Sequence, residues 1–384
     1  MLNIYFNINN IYLIFYIFLK YIFMSKKNKL FILFILILLL YLYIIFRFEI
    51  RYYFASPVSF YNSEKLVYYN QTTGYYPNIS NMFLNFSGKC SKVFKYSKNS
   101  NRDLVIFSYQ YIPSRKYKYI NNMIHKIMDS FKFSIPNAKI IVLIPKSSEN
   151  CSTIDVFKYY NIDVIPFENY ENYHIVSSRF FMALEYLKKN IKKYDRIFLS
   201  DLNDVFLFND IFATFSKDDL ILNKECHDYN NKTGKHCHYL LECRSTKRWF
   251  YQSFGDDKQL IENFMKFRPE NLNAGVILGG IEKMIKFLEI FTKNMDKTKI
   301  NKFGYDQSLL NKYYYLHYFD SIPLNVNGCS QRMCYKSNSM VYNKNATRVI
   351  FKEDTCSPVL LHKHYPTSWE RGIVYKKDDF KNDL

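Results

Sequence analysis

The sequence predicts an α/β fold built on a parallel, doubly wound sheet, and three observations predict it. Short aliphatic runs recur at Leu104–Phe107, Lys139–Pro145, Asp163–Pro166 and Ile197–Leu199. Segments with apolar residues at helical spacing separate them, and strands alternating with helices at this interval imply a parallel sheet covered on both faces. The fourth run breaks abruptly into Ser200-Asp201-Leu202-Asn203-Asp204, which places acids in the crevice where open α/β sheets bind ligands. Nearly unbroken aliphatic runs agree with burial on both sides of the sheet.

Taken in order, the chain first offers a membrane anchor. Leu30–Phe46 is an uninterrupted apolar run without a charge. At about 1.5 Å per residue it nearly crosses a hydrocarbon core of about 30 Å. Lys26, Lys27 and Lys29 precede it, so the positive-inside tendency sets residues 1–29 in the cytoplasm and the rest on the far side. No small-residue cleavage site follows, which favours an uncleaved signal anchor over a signal peptide. The stretch Ile11–Phe23 is read as an extension upstream of a start at Met24, or as a second span.

Residues 47–100 are polar, rich in Tyr and Asn and without a sustained period, and are read as a stem. The domain is expected over 101–384. Its helices are Tyr119–Phe131, with Ile120, Met123, Ile124, Ile127 and Met128 on one face, then Thr153–Tyr160 and Ser177–Asn190. Further on come a short strand Val276–Leu278 bracketed by glycines, a helix over Ile281–Asn294, and another starting near Tyr305, with Asp306 in its first turn.

All 8 cysteines lie beyond the anchor, and sequons stand at Asn70, Asn78, Asn85, Asn150, Asn231 and Asn345. Disulfides, glycans and one anchor describe a type II protein of the secretory pathway. Cys226, His227, His236, Cys237, His238 and Cys243 could build a zinc site. In an oxidising compartment these cysteines are expected instead to pair with one another or with Cys329, Cys334 and Cys356. The net charge of +19 would suit an anionic partner, yet the lysines are scattered and the excess of Lys, Asn, Ile, Phe and Tyr is that of AT-rich codons. No nucleic-acid partner is expected. No phosphate-cradling P-loop, Ser-His-Asp set or GxSxG elbow is present.

Two acids and an amide at a strand end suit a hard divalent cation bridging phosphate oxygens, and the same residue types are favoured in a plain turn. Four segments in order narrow the choice: FLSDLNDVF at Phe198–Phe206, LNAGVILGG at Leu272–Gly280, YDQSLLN at Tyr305–Asn311 and LLHKHYPTSW at Leu360–Trp369. Together they resemble the GT-A (Rossmann-like) nucleotide-diphospho-sugar glycosyltransferases, closest to family 8, over about Asn101–Trp369. The resemblance implies transfer of a sugar from a nucleotide-sugar donor, a UDP-sugar, to a glycan or glycoprotein acceptor at the Golgi or ER membrane. Mn²⁺ (or Mg²⁺) would sit on the diphosphate, held by Asp201, Asp204 and a late histidine, His362. Asp306 and Gln307 would be catalytic residues lining the sugar pocket. Asn273, Ala274 and Gly275 would contact substrate. Arg179, on the helix before the acidic strand, could face the diphosphate or pair with Asp201. The pattern departs from the family at Asn203, where its second acid belongs, so Asn203 could assist Asp201, Asp204 could replace it, or binding could dispense with metal. A non-catalytic, membrane-anchored sugar-binding or scaffold protein of the same fold is the alternative.

Overall fold

Seven strands form the main sheet, in the spatial order Asn325–Asn327, Leu220–Lys224, Leu272–Gly280, Arg196–Ser200, Asp103–Ser108, Lys139–Pro145 and Asp163–Phe167. The computed structural model describes residues 84–111, 117–202, 204–225, 229–230, 235–236, 239–242, 244–335, 340–343, 348–351 and 356–362. The anchor expected at Leu30–Phe46, most of the expected stem, Asn203, Cys226, Cys237, Cys243 and His364 lie outside them. Among the described residues no helix is long and apolar enough to cross a membrane.

In chain order the first half comprises β1 (Asp103–Ser108), α1 (Tyr117–Ser134), β2 (Lys139–Pro145), α2 (Thr153–Tyr159), β3 (Asp163–Phe167), α3 (Ile175–Lys189) and β4 (Arg196–Ser200). After it come β5 (Val205–Leu207), β6 (Leu220–Lys224), β7 (Tyr229–Asn230), β8 (Lys235–His236), α4 (Arg244–Phe254) and α5 (Lys258–Phe267). The chain continues through β9 (Leu272–Gly280), α6 (Ile281–Lys293), α7 (Tyr305–Tyr315) and β10 (Asn325–Asn327). The last strands are β11 (Met333–Tyr335), β12 (Met340–Asn343), β13 (Arg348–Phe351) and β14 (Leu360–His362).

Strands β4, β1, β2 and β3 run parallel, as the aliphatic runs predict. The strand period of two distributes β1 between two cores. Val105 and Phe107 meet Ile124, Ile127, Met128 and Phe131 of α1 on one face. Leu104 and Ile106 meet Phe180, Ala183 and Leu187 of α3 and the apolar residues of α6 on the other. The result is a mixed α/β, three-layer architecture on a mostly parallel sheet.

Two expectations need correction. The sheet is not wholly parallel, because β9 runs antiparallel to both β4 and β6. That strand is also nine residues long, not three, and buried throughout. Asn273 stays inside it because both its Nδ2 and its Oδ1 have protein partners, as described below. One of the two expected disulfide arrangements is also excluded, while pairing of Cys226, Cys237 and Cys243 with one another lies outside the described residues. Cys329 pairs with Cys334, and Cys356 pairs with Cys90, so none of the three reaches the Cys226–Cys243 stretch. Cys151 is free and half-buried.

Residues 84–100, read from sequence as the end of a stem, pack on the sheet. Leu84, Phe86, Val93 and Phe94 lie against the α1-side core. The carbonyls of Ser97 and Lys98 accept hydrogen bonds from Arg196, whose guanidinium also makes a buried, bidentate pair with Asp103. Asn- and Tyr-rich composition hid this segment, since it joins the fold through its carbonyls and scattered rings.

One polar group on α1 has a measurable consequence. Burial pushes the Asp129 carboxyl up to about 7 from 3.8, although the Tyr160 hydroxyl donates to it at 2.8 Å and pulls the other way. The folded state therefore prefers the protonated form. Its contribution is full below the unfolded value and is lost as pH rises toward 7, because the unfolded chain ionises first. Each unit of the rise corresponds to about 1.4 kcal/mol, reduced by partial solvent access. An Asp129→Asn variant should unfold at the same urea concentration as wild type near pH 4 and at a higher one at pH 8. Parallel pH profiles for the two proteins would contradict this.

Candidate active site at the carboxyl edge of the sheet

Each side chain of the site arrives from the end of an element, and the strand pairings bring the ends together. Ser200 of β4 is in register with Val276 of β9, and the next amide, Asp201 N–H, donates to the Gly275 carbonyl at 2.6 Å. The parallel run stops there, so the Asp201 side chain emerges at the carboxyl edge. Asp204 directly precedes β5. β14 pairs antiparallel with β5 and parallel with β11, and His362 stands opposite Val205. That register sets the imidazole beside Asp204.

His362 Nε2 lies 3.3 Å from Asp204 Oδ1 and 3.5 Å from Asp201 Oδ2. One ligand atom from each of Asp201, Asp204 and His362 falls within 4.8 Å of the others, a spacing that could hold a metal ion. His362 and Asp204 are buried, while the Asp201 side chain is 25% exposed and is the group's open side. Gly275 forms the floor. A Cβ there would overlap Asp201 Oδ2 and lie 2.8 Å from His362 Cε1, so only glycine fits beneath the group.

Asp201 divides its two oxygens. Oδ1 is ion-paired with Nη1 of the buried Arg179 on α3, and Oδ2 faces His362. Arg179 Nη2 donates to the Ala274 carbonyl at 2.7 Å and to Asp306 Oδ2 at 2.9 Å. Burial pulls the guanidinium down, but the charges of Asp201 and Asp306 outweigh it and the net shift is upward. The same burial raises the Asp306 carboxyl to about 6, with Arg179 opposing.

Behind this lies a buried row of amides. Asn273 Nδ2 donates to Glu225 Oε1 at 2.7 Å and to Gln307 Oε1 at 3.2 Å, and its Oδ1 accepts from the Gly275 amide at 2.7 Å. Asn271 Nδ2 donates to the other Glu225 oxygen. Asn311 ties α7 to β9 by exchanging hydrogen bonds with the Leu272 backbone.

The structure thus gathers all nine residues singled out from sequence: Arg179, Asp201, Asp204, Asn273, Ala274, Gly275, Asp306, Gln307 and His362. Asn273 has protein partners on both Nδ2 and Oδ1 and braces β9 against Glu225 and Gln307. Glu225, Asn271 and Asn311 were missed. The signal for Glu225 was available, because it follows the apolar strand Leu220–Lys224 as Asp201 follows β4. No protein-family model matches the chain and no curated protein matches it, so the site's own residues must carry its functional reading.

Proposed function

We propose that the chain is a glycosyltransferase of the GT-A type, moving a sugar from a nucleotide-sugar donor, a UDP-sugar, to a glycan or glycoprotein acceptor. The observation that carries this reading is the convergence of Asp201, Asp204 and His362 at the carboxyl edge of the sheet. Two carboxylates and an imidazole form a donor set suited to Mn²⁺ or Mg²⁺. The fit is supported by Asp201, which gives one oxygen to Arg179 and keeps the other toward His362, and by the Gly275 floor. A bound divalent ion would neutralise the charge that the diphosphate gains as the glycosidic bond breaks.

This chain's own residues do the rest. Arg179 locks Asp201 and Asp306 in one arrangement before substrate arrives, and such preorganisation spares reorganisation during reaction. Asp306 and Gln307, at the start of α7, present carboxyl and amide groups for sugar hydroxyls. With the anchor at Leu30–Phe46, the reading places the site in the lumen of the Golgi or ER, on a single-pass type II protein.

Screening full-length, detergent-purified protein against nucleotide sugars, with Mn²⁺ and with chelator, tests the proposal. The expected result is slow donor hydrolysis that disappears on chelation. Metal-dependent thermal stabilisation by a nucleotide sugar without any turnover would support the sugar-binding scaffold instead.

A further inference from the structure

We propose that Glu225 is a positioning residue that determines which end of the Gln307 amide faces the ligand; this rests on the function proposed above. Both β4 and β6 pair antiparallel with β9, so they run the same way, and Glu225 emerges at the same edge as Asp201. Its side chain is buried, yet it is not one of the Asp201–Asp204–His362 group. An ionised carboxylate only accepts hydrogen bonds. Both Glu225 oxygens accept hydrogen bonds, one from Asn271 and one from Asn273.

The Asn273 amide is pinned from both ends. The Gly275 N–H needs an acceptor and takes Oδ1, while Glu225 takes Nδ2. The same Nδ2 faces Gln307, so Gln307 must turn its oxygen toward Asn273. That leaves Gln307 Nε2 on the opposite side. It is buried, on a residue only 7% exposed, and has no hydrogen-bond partner among the described residues. An orphaned buried donor is costly, and in native proteins it calls for an explanation. Here the explanation is a ligand atom. The carboxylate fixes the sense of a carboxylate–amide–amide relay whose last member offers N–H and not C=O. The atom Gln307 reads is then an acceptor, an oxygen of the donor's sugar.

The test uses full-length protein, Mn²⁺, and UDP-glucose, UDP-galactose and UDP-N-acetylglucosamine as probes, with UDP as the sugar-free control. Glu225→Gln keeps the shape but can present its own amide to Asn273. It should weaken the best UDP-sugar by about tenfold, as for one lost hydrogen bond, and leave UDP unchanged. Gln307→Glu, which replaces the unpartnered buried donor by an acceptor, should do the same. The double variant should be no weaker than Gln307→Glu alone, because both act through one contact. Equal UDP-sugar affinity in Glu225→Gln, or additive losses, would overturn the relay. If Glu225→Gln does not fold, Gln307→Glu decides alone, and wild-type UDP-sugar affinity in it overturns the proposal. Neutron diffraction of the unliganded protein separates this from the enzyme reading. Deuterons on the Gln307 atom turned away from Asn273 support the relay even if no nucleotide binds, and deuterons on the atom facing Asn273 refute it.

Discussion

An Asp204→Ala variant should lose Mn²⁺ affinity by more than about a hundredfold while unfolding at nearly the wild-type temperature. The expected factor exceeds the 10–100-fold that changes outside the coordinating groups themselves carry. Asp204 is buried and its Oδ1 is 3.3 Å from His362 Nε2, so it would be one of three protein ligands. Removing it leaves Asp201 and His362, too few to hold the ion against water. Stability should change little, because the variant leaves the Arg179–Asp201 pair in place. Titration of Mn²⁺ by electron paramagnetic resonance reads the affinity directly, and calorimetry reads the unfolding. Wild-type Mn²⁺ binding in this variant would remove Asp204 from the ligand set and with it the main support for the proposed chemistry.

Arg179→Met should destabilise the fold by about 3–5 kcal/mol, the range for breaking a buried charge pair from one side. The guanidinium contacts Asp201, Asp306 and the Ala274 carbonyl, and without it two carboxylates and a carbonyl lose their donor together. Lys should not rescue, since one ammonium cannot supply the two-nitrogen fork. The loss also has a pH signature. Asp306 already titrates near 6 because burial raises it, and removing the cation that opposes burial would raise it further. Its folded form then prefers the proton still more, so destabilisation should be larger at pH 8 than at pH 5. Denaturant titrations at both values check the sign, and a pH-independent loss would mean that Asp306 is not the group left stranded.

Much of this site could be read from the chain because its parts obey local rules. The runs at Leu104, Lys139, Asp163 and Ile197 have strand length and burial composition, and Asp201 follows the last of them as a ligand-binding acid would. Direction is a different matter. Hydropathy is the same for a parallel and an antiparallel strand, so Leu272–Gly280 was legible as a strand but its reversal and its full length were not. For Asn273 the resemblance implies a substrate contact, and an amide beside glycines agrees with it. Only the three-dimensional neighbours, Glu225 and Gln307, show that its two Nδ2 donors are already used. Glu225 went unremarked because the Cys- and His-rich stretch that follows it drew the reading toward zinc or disulfides. The partner of Cys356 depended on long-range closure to Cys90, 266 residues away, which spacing does not encode.

The pairing of β14 with β5 also bears on how the molecule is made. Six of the seven strands of the main sheet are complete by Gly280, whereas His362 is synthesised much later. Cys90 must wait for Cys356, 266 residues further along, before the neighbouring bond can close. During synthesis the scaffold can therefore be in place while the constellation of Asp201 and Asp204 still lacks its imidazole. A chain interrupted before residue 356 would lack both Cys356 and His362 and would carry an unmatched thiol at Cys90. Assembly order thus makes Cys90 a marker of unfinished chains, one that thiol labelling could detect.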